Sequence, residues 1–208
     1  MKDLVVLVAD SQQKAVIEIL LTERYKSFKI RQMQKDTHFV VYAHPNKDPG
    51  VYRDAANFLN VFVKQYQYAL VLLGAEWEGS PGGSHIKHEI QTSLDLTDWQ
   101  NRSATIVIEP ELEIWVWSSS TEVCNILGKT WEQIREIAEQ GQLWQQGVVK
   151  PHRPKELMDR VLRQARKHRS AALFMRLARE VSLKKCQDAA FCELKQKLQE
   201  WFPSENRF

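Results

Sequence analysis

Tyr68-Ala-Leu-Val-Leu-Leu-Gly-Ala75, broken at once by Glu76-Trp77-Glu78-Gly79, is the stretch that decides the fold. Short leucine-rich and β-branched runs bounded by turn residues are the signature of strands buried on both faces. A second such run, Ala104-Thr-Ile-Val-Ile108, breaks into Glu109-Pro110-Glu111-Leu112-Glu113, and a third, Leu4 to Ala9, breaks into Asp10-Ser11. In open α/β sheets ligands bind beyond the carboxyl ends of the strands. The acids Glu76, Glu78, Glu109, Glu111 and Glu113 are concentrated at two such ends. Crowded carboxylates raise one another's pKa, a cost that a divalent cation would offset.

Working outward, Asp10 and Ser11 are both good N-cap residues. Gln12 to Tyr25 then places Ala15, Ile19 and either Val16 or Leu20 on one helical stripe. Phe28 to Gln32 and His38 to Ala43 read as two further strands. Residues 44 to 50, His-Pro-Asn-Lys-Asp-Pro-Gly, read as a loop by composition. Val51 to Gln67 is expected to be a helix, with Ala55, Phe58, Leu59 and Phe62 at helical spacing. Ser84 could cap a helix running to about Leu96. Glu111 to Trp117 alternates like a strand, yet follows a proline that suits a first helical turn; a short helix is the preferred reading. From Thr130 onward the pattern is helical, with breaks at Gly141, Gly147, Pro151 and Pro154. Strands alternating with helices, then helices alone, predict an α/β fold. Its sheet should be mostly parallel and flanked by helices, residues 1–128, with a basic helical C-terminal extension, residues 129–208, packed on the same body.

Composition is that of an ordinary globular chain, with 43% hydrophobic and 26% charged residues among 208. No apolar run approaches the roughly 20 residues of a membrane helix, and no signal segment opens the chain. The cysteines, Cys124, Cys186 and Cys192, lack zinc spacing, so reduced thiols in the cytoplasm are expected. Charge is unevenly spread. Residues 1–149 hold 14 Lys and Arg against 19 Asp and Glu, whereas residues 150–208 hold 15 against 7. A basic tail on an acidic body suits nucleic acid or an acidic partner, and equally a solvated helical surface.

Alternate strand residues share a face, so Glu76 and Glu78 can aim the same way. Hard oxygen ligands on a strand end suit Mg2+ or Mn2+. Asp10 could converge on the same point, or simply cap its helix. His44, His85 and His88 lie near the strand ends as possible helpers. Ser80-Pro-Gly-Gly-Ser84 lacks the lysine and spacing of a P-loop. In the basic tail, Arg160, Arg163 and Lys167 fall on one helical face. Lys150, Arg153, Arg166, His168 and Arg169 add to its density. Such a face can neutralise nucleic-acid phosphates.

Taken together, Leu73-Gly-Ala-Glu-Trp-Glu-Gly-Ser-Pro-Gly82, Ile108-Glu-Pro-Glu-Leu-Glu-Ile-Trp-Val-Trp117 and Lys150-Pro-His-Arg-Pro-Lys-Glu156 resemble an uncharacterised bacterial TOPRIM-like family. That family is similar to a component of methylation-associated defence systems and has a Glu-Ala-Trp-type motif after a late strand. The resemblance implies a Rossmann-like TOPRIM fold that holds Mg2+ and cleaves or transfers phosphodiesters. It gives Glu76 and Glu78 the positions of the family's metal-holding Asp-x-Asp pair. Glu113, two residues before Trp115, takes the Glu-Ala-Trp element, with Glu109 or Glu111 completing the site. The family's catalytic glutamate after the first strand has no clean match here: Ala9 or Asp10 stands at its place, and an aspartate is shorter by one methylene. Two functions follow from the resemblance. One is a Mg-dependent nuclease or phosphotransferase using Asp10 and Glu113 in catalysis. The other is a non-catalytic subunit binding nucleic acid, through Arg160, Arg163, Lys167 and Arg169, or other defence proteins.

Overall fold

The computed structural model describes residues 1–117, 120–182 and 186–204. Its elements run β1 (Lys2–Val8), α1 (Ser11–Thr22), α2 (Tyr25–Phe28), β2 (Phe39–Ala43), α3 (Lys47–Asn60), β3 (Tyr66–Gly74), α4 (Gly83–Asp95) and β4 (Ser103–Ile108). A 3₁₀ turn (Leu112–Trp115) follows, then α5 (Thr121–Leu127), α6 (Trp131–Gln140), α7 (Pro154–Gln164), α8 (Ala171–Glu180) and α9 (Ala189–Trp201). The four strands form one open, all-parallel sheet in the order β2-β1-β3-β4. The fold is α/β and Rossmann-like. Among the described residues no helix is long and apolar enough to cross a membrane.

The unbroken apolar runs have a direct cause, since the sheet is covered on both faces. Leu4, Val6 and Val8 of β1, with Leu70, Leu72, Ile106 and Ile108, point to one face and meet α1 and the C-terminal helices. Val5, Leu7, Ala69, Val71 and Leu73 point to the other and meet α3 and α4. The sheet grows outward from β1 in both directions, to β2 on one side and to β3 and β4 on the other. The point between β1 and β3 is therefore the topological switch, the place where such sheets bind ligands.

The C-terminal helices share the first of these cores. Phe174 and Leu177 of α8 pack along α1, and Phe191, Leu194 and Leu198 of α9 pack below β4. Tryptophans tie the layers together with both ring and N–H. Trp117 donates to the Pro154 carbonyl at 2.9 Å. Trp115 donates to Asp188 at 2.8 Å, and the same carboxylate caps α9 by accepting from the Phe191 amide.

Three element expectations need correction. Phe28 to Gln32 is not a strand: α2 ends at Phe28, Lys29 turns left-handed at φ 55°, and Ile30 makes only an isolated bridge to Pro203. Phe28 and Ile30 alternate inward because the cap turn buries both, and this imitates strand periodicity. The helix placed at Val51–Gln67 instead begins at Lys47 and ends at Asn60, with β3 starting at Tyr66. Pro49 is tolerated because it sits in the first turn, where its missing N–H is not needed. Gly50 is needed because a β-carbon there would overlap the buried His44 ring. Lastly, α4 is capped by Gly82 at φ 93°, not by Ser84, and α5 is an additional helix before Thr130.

Candidate functional site

At the switch point, Asp10 is engaged with its own helix. One carboxylate oxygen accepts from the Gln12 and Gln13 amides, each at 2.8 Å, which is N-cap geometry. Gln13 is buried and its side-chain oxygen accepts from the Ala9 amide at 3.0 Å. Across the sheet end, Asp48 in the first turn of α3 accepts from the Gly74 amide at 2.7 Å. Burial holds the Asp48 carboxyl above its usual pKa; the Gly74 hydrogen bond opposes this, while the nearby Asp10 charge reinforces it. The sequence reading missed Asp48. Its signal was present, since an acid followed by proline within a helix's first turn complements the helix dipole.

The acids after β3 and β4 part company. Glu76 and Glu78 are exposed on the turn after β3, and Trp77 between them packs beside Tyr52 with ring centroids 6.0 Å apart. Glu109 rests against Gly83 at the start of α4. Glu111 pairs with Lys155 at 2.7 Å. Glu113 is only 1% exposed and forms an ion pair with Arg169. Arg169 also donates to the Gln12 side chain at 2.9 Å and to Asp159 at 3.4 Å. Burial raises the Glu113 pKa, and the Arg169 charge works against that rise. Asp10, Glu76 and Glu113 are not brought to one point. Among the described residues no three His, Cys, Asp or Glu side chains are placed to share a metal ion. His44 is buried and accepts from the Asn46 amide at 3.1 Å, while His85 and His88 are exposed on α4.

Glu76 and Glu111 do share a wall. They line a cleft of about 690 Å³ between the ends of β3 and β4 and the helices α6 and α7. Its other charged residues are Arg153, Lys155, Glu156, Asp159, Arg160 and Arg163, so acids and bases balance. Arg153 and Arg160 both pair with Glu156 at 2.7 Å. The Arg160 hydrogen bond is the main reason that the Glu156 carboxyl lies below its usual pKa. Beyond Asp159 and Arg163 the character changes. A second cavity of about 350 Å³ is lined by Arg163, Arg166, Lys167, His168 and Arg169, with Asp159 as its one acid among the described residues.

The four basic residues singled out from the sequence therefore divide. Arg163 is exposed at the junction of the two cavities and, like Arg166, forms no ion pair among the described residues. Arg160 is held by Glu156. Lys167 donates to the Ile126 carbonyl at 2.6 Å, closing the end of α5. Arg169 belongs to the Glu113 network. Comparison with protein-family models, with curated proteins and with solved structures finds no match to this chain.

The state of Asp48 leads to a pH prediction. The folded protein holds the Asp48 proton more tightly than the unfolded chain does, so its contribution to stability is present below the usual carboxylate range. It is lost as pH rises through the raised folded pKa. Asp48→Asn keeps the oxygen that accepts from Gly74 and removes the titration. Its thermal-unfolding midpoint should fall less than the parent's as pH rises from about 4 to 7. A pH dependence as steep as the parent's would contradict the assignment.

Proposed function

We propose that this chain is a TOPRIM-like component of a cytoplasmic prokaryotic defence system that holds nucleic acid by its phosphate backbone and does not cleave it. The observation that carries this reading is the engagement of both candidate catalytic acids: Asp10 caps α1, and Glu113 is neutralised by Arg169 inside the core. A general acid or base must reach the reacting group. These two carboxylates face their own scaffold instead. Binding is assigned to the carboxyl end of α7, where Arg163 and Arg166 line a cavity with Lys167, His168 and Arg169, beside Asp159 and Leu162. Other defence proteins are the expected partners of the remaining surface.

A second reading, a Mg-dependent nuclease, is favoured by one observation: Glu76 and Glu111 line the same cleft. Mg2+ commonly takes one or two protein carboxylates and completes its shell with water and substrate phosphate. Glu78 lies outside that lining, so the cation would rest on Glu76 and Glu111 rather than on the adjacent pair.

The binding reading is tested by titrating a labelled DNA duplex at several salt concentrations. Arg163→Glu with Arg166→Glu should weaken binding at low salt by at least about tenfold. It should also lower the slope of log affinity against log salt by about two, one phosphate contact being lost for each arginine. An unchanged slope would remove α7 as the interface.

A further inference from the structure

The opposite end of the sheet carries a basic groove that the reading above does not use. It lies where α2, the connector into β2 and the chain after α9 meet, beside the amino ends of β1 and β2. Its volume is about 860 Å³, and its lining includes Tyr25, Lys26, Lys29, Arg31, His38 and Ser204, with no Asp or Glu among the described residues. The frame is fixed by main-chain contacts. The Arg31 amide donates to the Phe202 carbonyl at 3.1 Å and the Ser204 amide to the Lys29 carbonyl at 3.3 Å. The Ile30–Pro203 bridge joins the two walls. Arg31 is held at 2.7 Å by Asp3 and lies over the Phe202 ring, 5.3 Å from its centroid.

Each wall offers chemistry suited to phosphate. Lys26 and Lys29 are exposed, and neither forms an ion pair among the described residues. His38 accepts from the Gln34 amide through Nδ1 at 2.9 Å. Its neutral ring therefore carries the proton on Nε2, leaving that nitrogen as a donor. The half-buried Tyr25 ring contributes an aromatic surface beside the lysines, with the Lys26 ammonium 5.9 Å from its centroid. Cations along a groove with an aromatic platform are what unpaired nucleic-acid strands require, because the backbone is neutralised while a base stacks.

The geometry points to this groove as a binding site for a single-stranded nucleic acid, separate from the α7 patch. The strands of the sheet separate the two surfaces, so one can be removed without disturbing the other. Duplex DNA, whose bases are already stacked, gains nothing from Tyr25. The groove therefore discriminates in favour of the unpaired strand.

The test uses a labelled oligothymidylate of about 20 nucleotides, enough to cover one such site. Its fluorescence anisotropy is followed with the full chain at several salt concentrations. Lys26→Glu with Lys29→Glu should reduce affinity at least about tenfold at low salt and flatten the log–log salt slope by about 1.4, while Lys26→Arg with Lys29→Arg retains both. Arg163→Glu with Arg166→Glu, measured on the same probe, separates this site from the α7 interface. If that pair alone abolishes binding, the groove proposal falls and the α7 reading stands. If the lysine pair alone does so, the groove stands. Equal loss of duplex and single-strand binding in the lysine variant, or capture of anionic phospholipid vesicles in place of the oligonucleotide, would overturn the single-strand assignment.

Discussion

Replacing Arg169 by alanine is expected to destabilise the protein by about 3 kcal/mol near pH 7, because it leaves a buried carboxylate without its counter-charge. The partners are unequal. Glu113 is 1% exposed, whereas the Arg169 side chain retains 23% exposure and further acceptors in Gln12 and Asp159. Glu113→Gln should therefore cost less, about 1–2 kcal/mol, since the guanidinium can turn to water. Adding Glu113→Gln to Arg169→Ala should recover most of the larger loss. The deficit of Arg169→Ala also has a pH signature. Burial already raises the Glu113 pKa, and removing the arginine raises it further. The stability that the bound proton provides is lost as pH rises through that value, so the deficit grows from pH 5 to pH 8. Urea unfolding of the three variants at two pH values decides the matter. Equal effects of Glu113→Gln and Arg169→Ala, or a deficit independent of pH, would contradict the buried-pair account.

The second large effect is expected at Trp117. Its indole is 1% exposed, crosses Trp144 edge to face at 6.0 Å, and hydrogen-bonds the Pro154 carbonyl at the start of α7. Trp117→Ala should cost about 3–5 kcal/mol through the cavity left behind. Trp117→Phe should cost less, since it keeps most of the packing and gives up the N–H contact. Because one core runs from β1 through the 3₁₀ turn to α9, sheet and extension should unfold together. Far-UV circular dichroism and tryptophan fluorescence are expected to give coincident transitions in the parent and in both variants. Separate transitions, with the helices melting before the sheet, would contradict a shared core.

The sequence revealed the positions of the acids more readily than their partners. The runs at Leu4, Tyr68 and Ala104 were readable as parallel strands because both faces of the sheet are covered, which leaves no polar alternation. The carboxyl-end location of Glu76, Glu111 and Glu113 followed from that pattern. What each acid does there is set by residues distant in sequence. Glu113 meets Arg169 and Glu111 meets Lys155, pairings that no spacing rule encodes. The same limit applies to the basic tail. Helical periodicity placed Arg160, Arg163 and Lys167 on one face, but a distant carbonyl, that of Ile126, engaged Lys167, while Arg160 met Glu156 four residues back in its own helix and Arg163 stayed exposed. Local misreadings had local causes. The cap turn at Lys29 imitated a strand, and Pro49-Gly50 imitated a loop although the glycine serves the His44 ring.

On the proposed reading, nucleic acid is held at the carboxyl end of the sheet, where Asp10 and Glu113 serve the scaffold. The most direct measurement is incubation of the protein with a labelled oligonucleotide in the presence of Mg2+ or Mn2+, with binding and strand integrity followed together and Glu76→Gln run alongside. The account predicts that the oligonucleotide is bound and stays intact for parent and variant alike, and that a chelator leaves binding unchanged. Metal-dependent cleavage by the parent, abolished by Glu76→Gln, would contradict it.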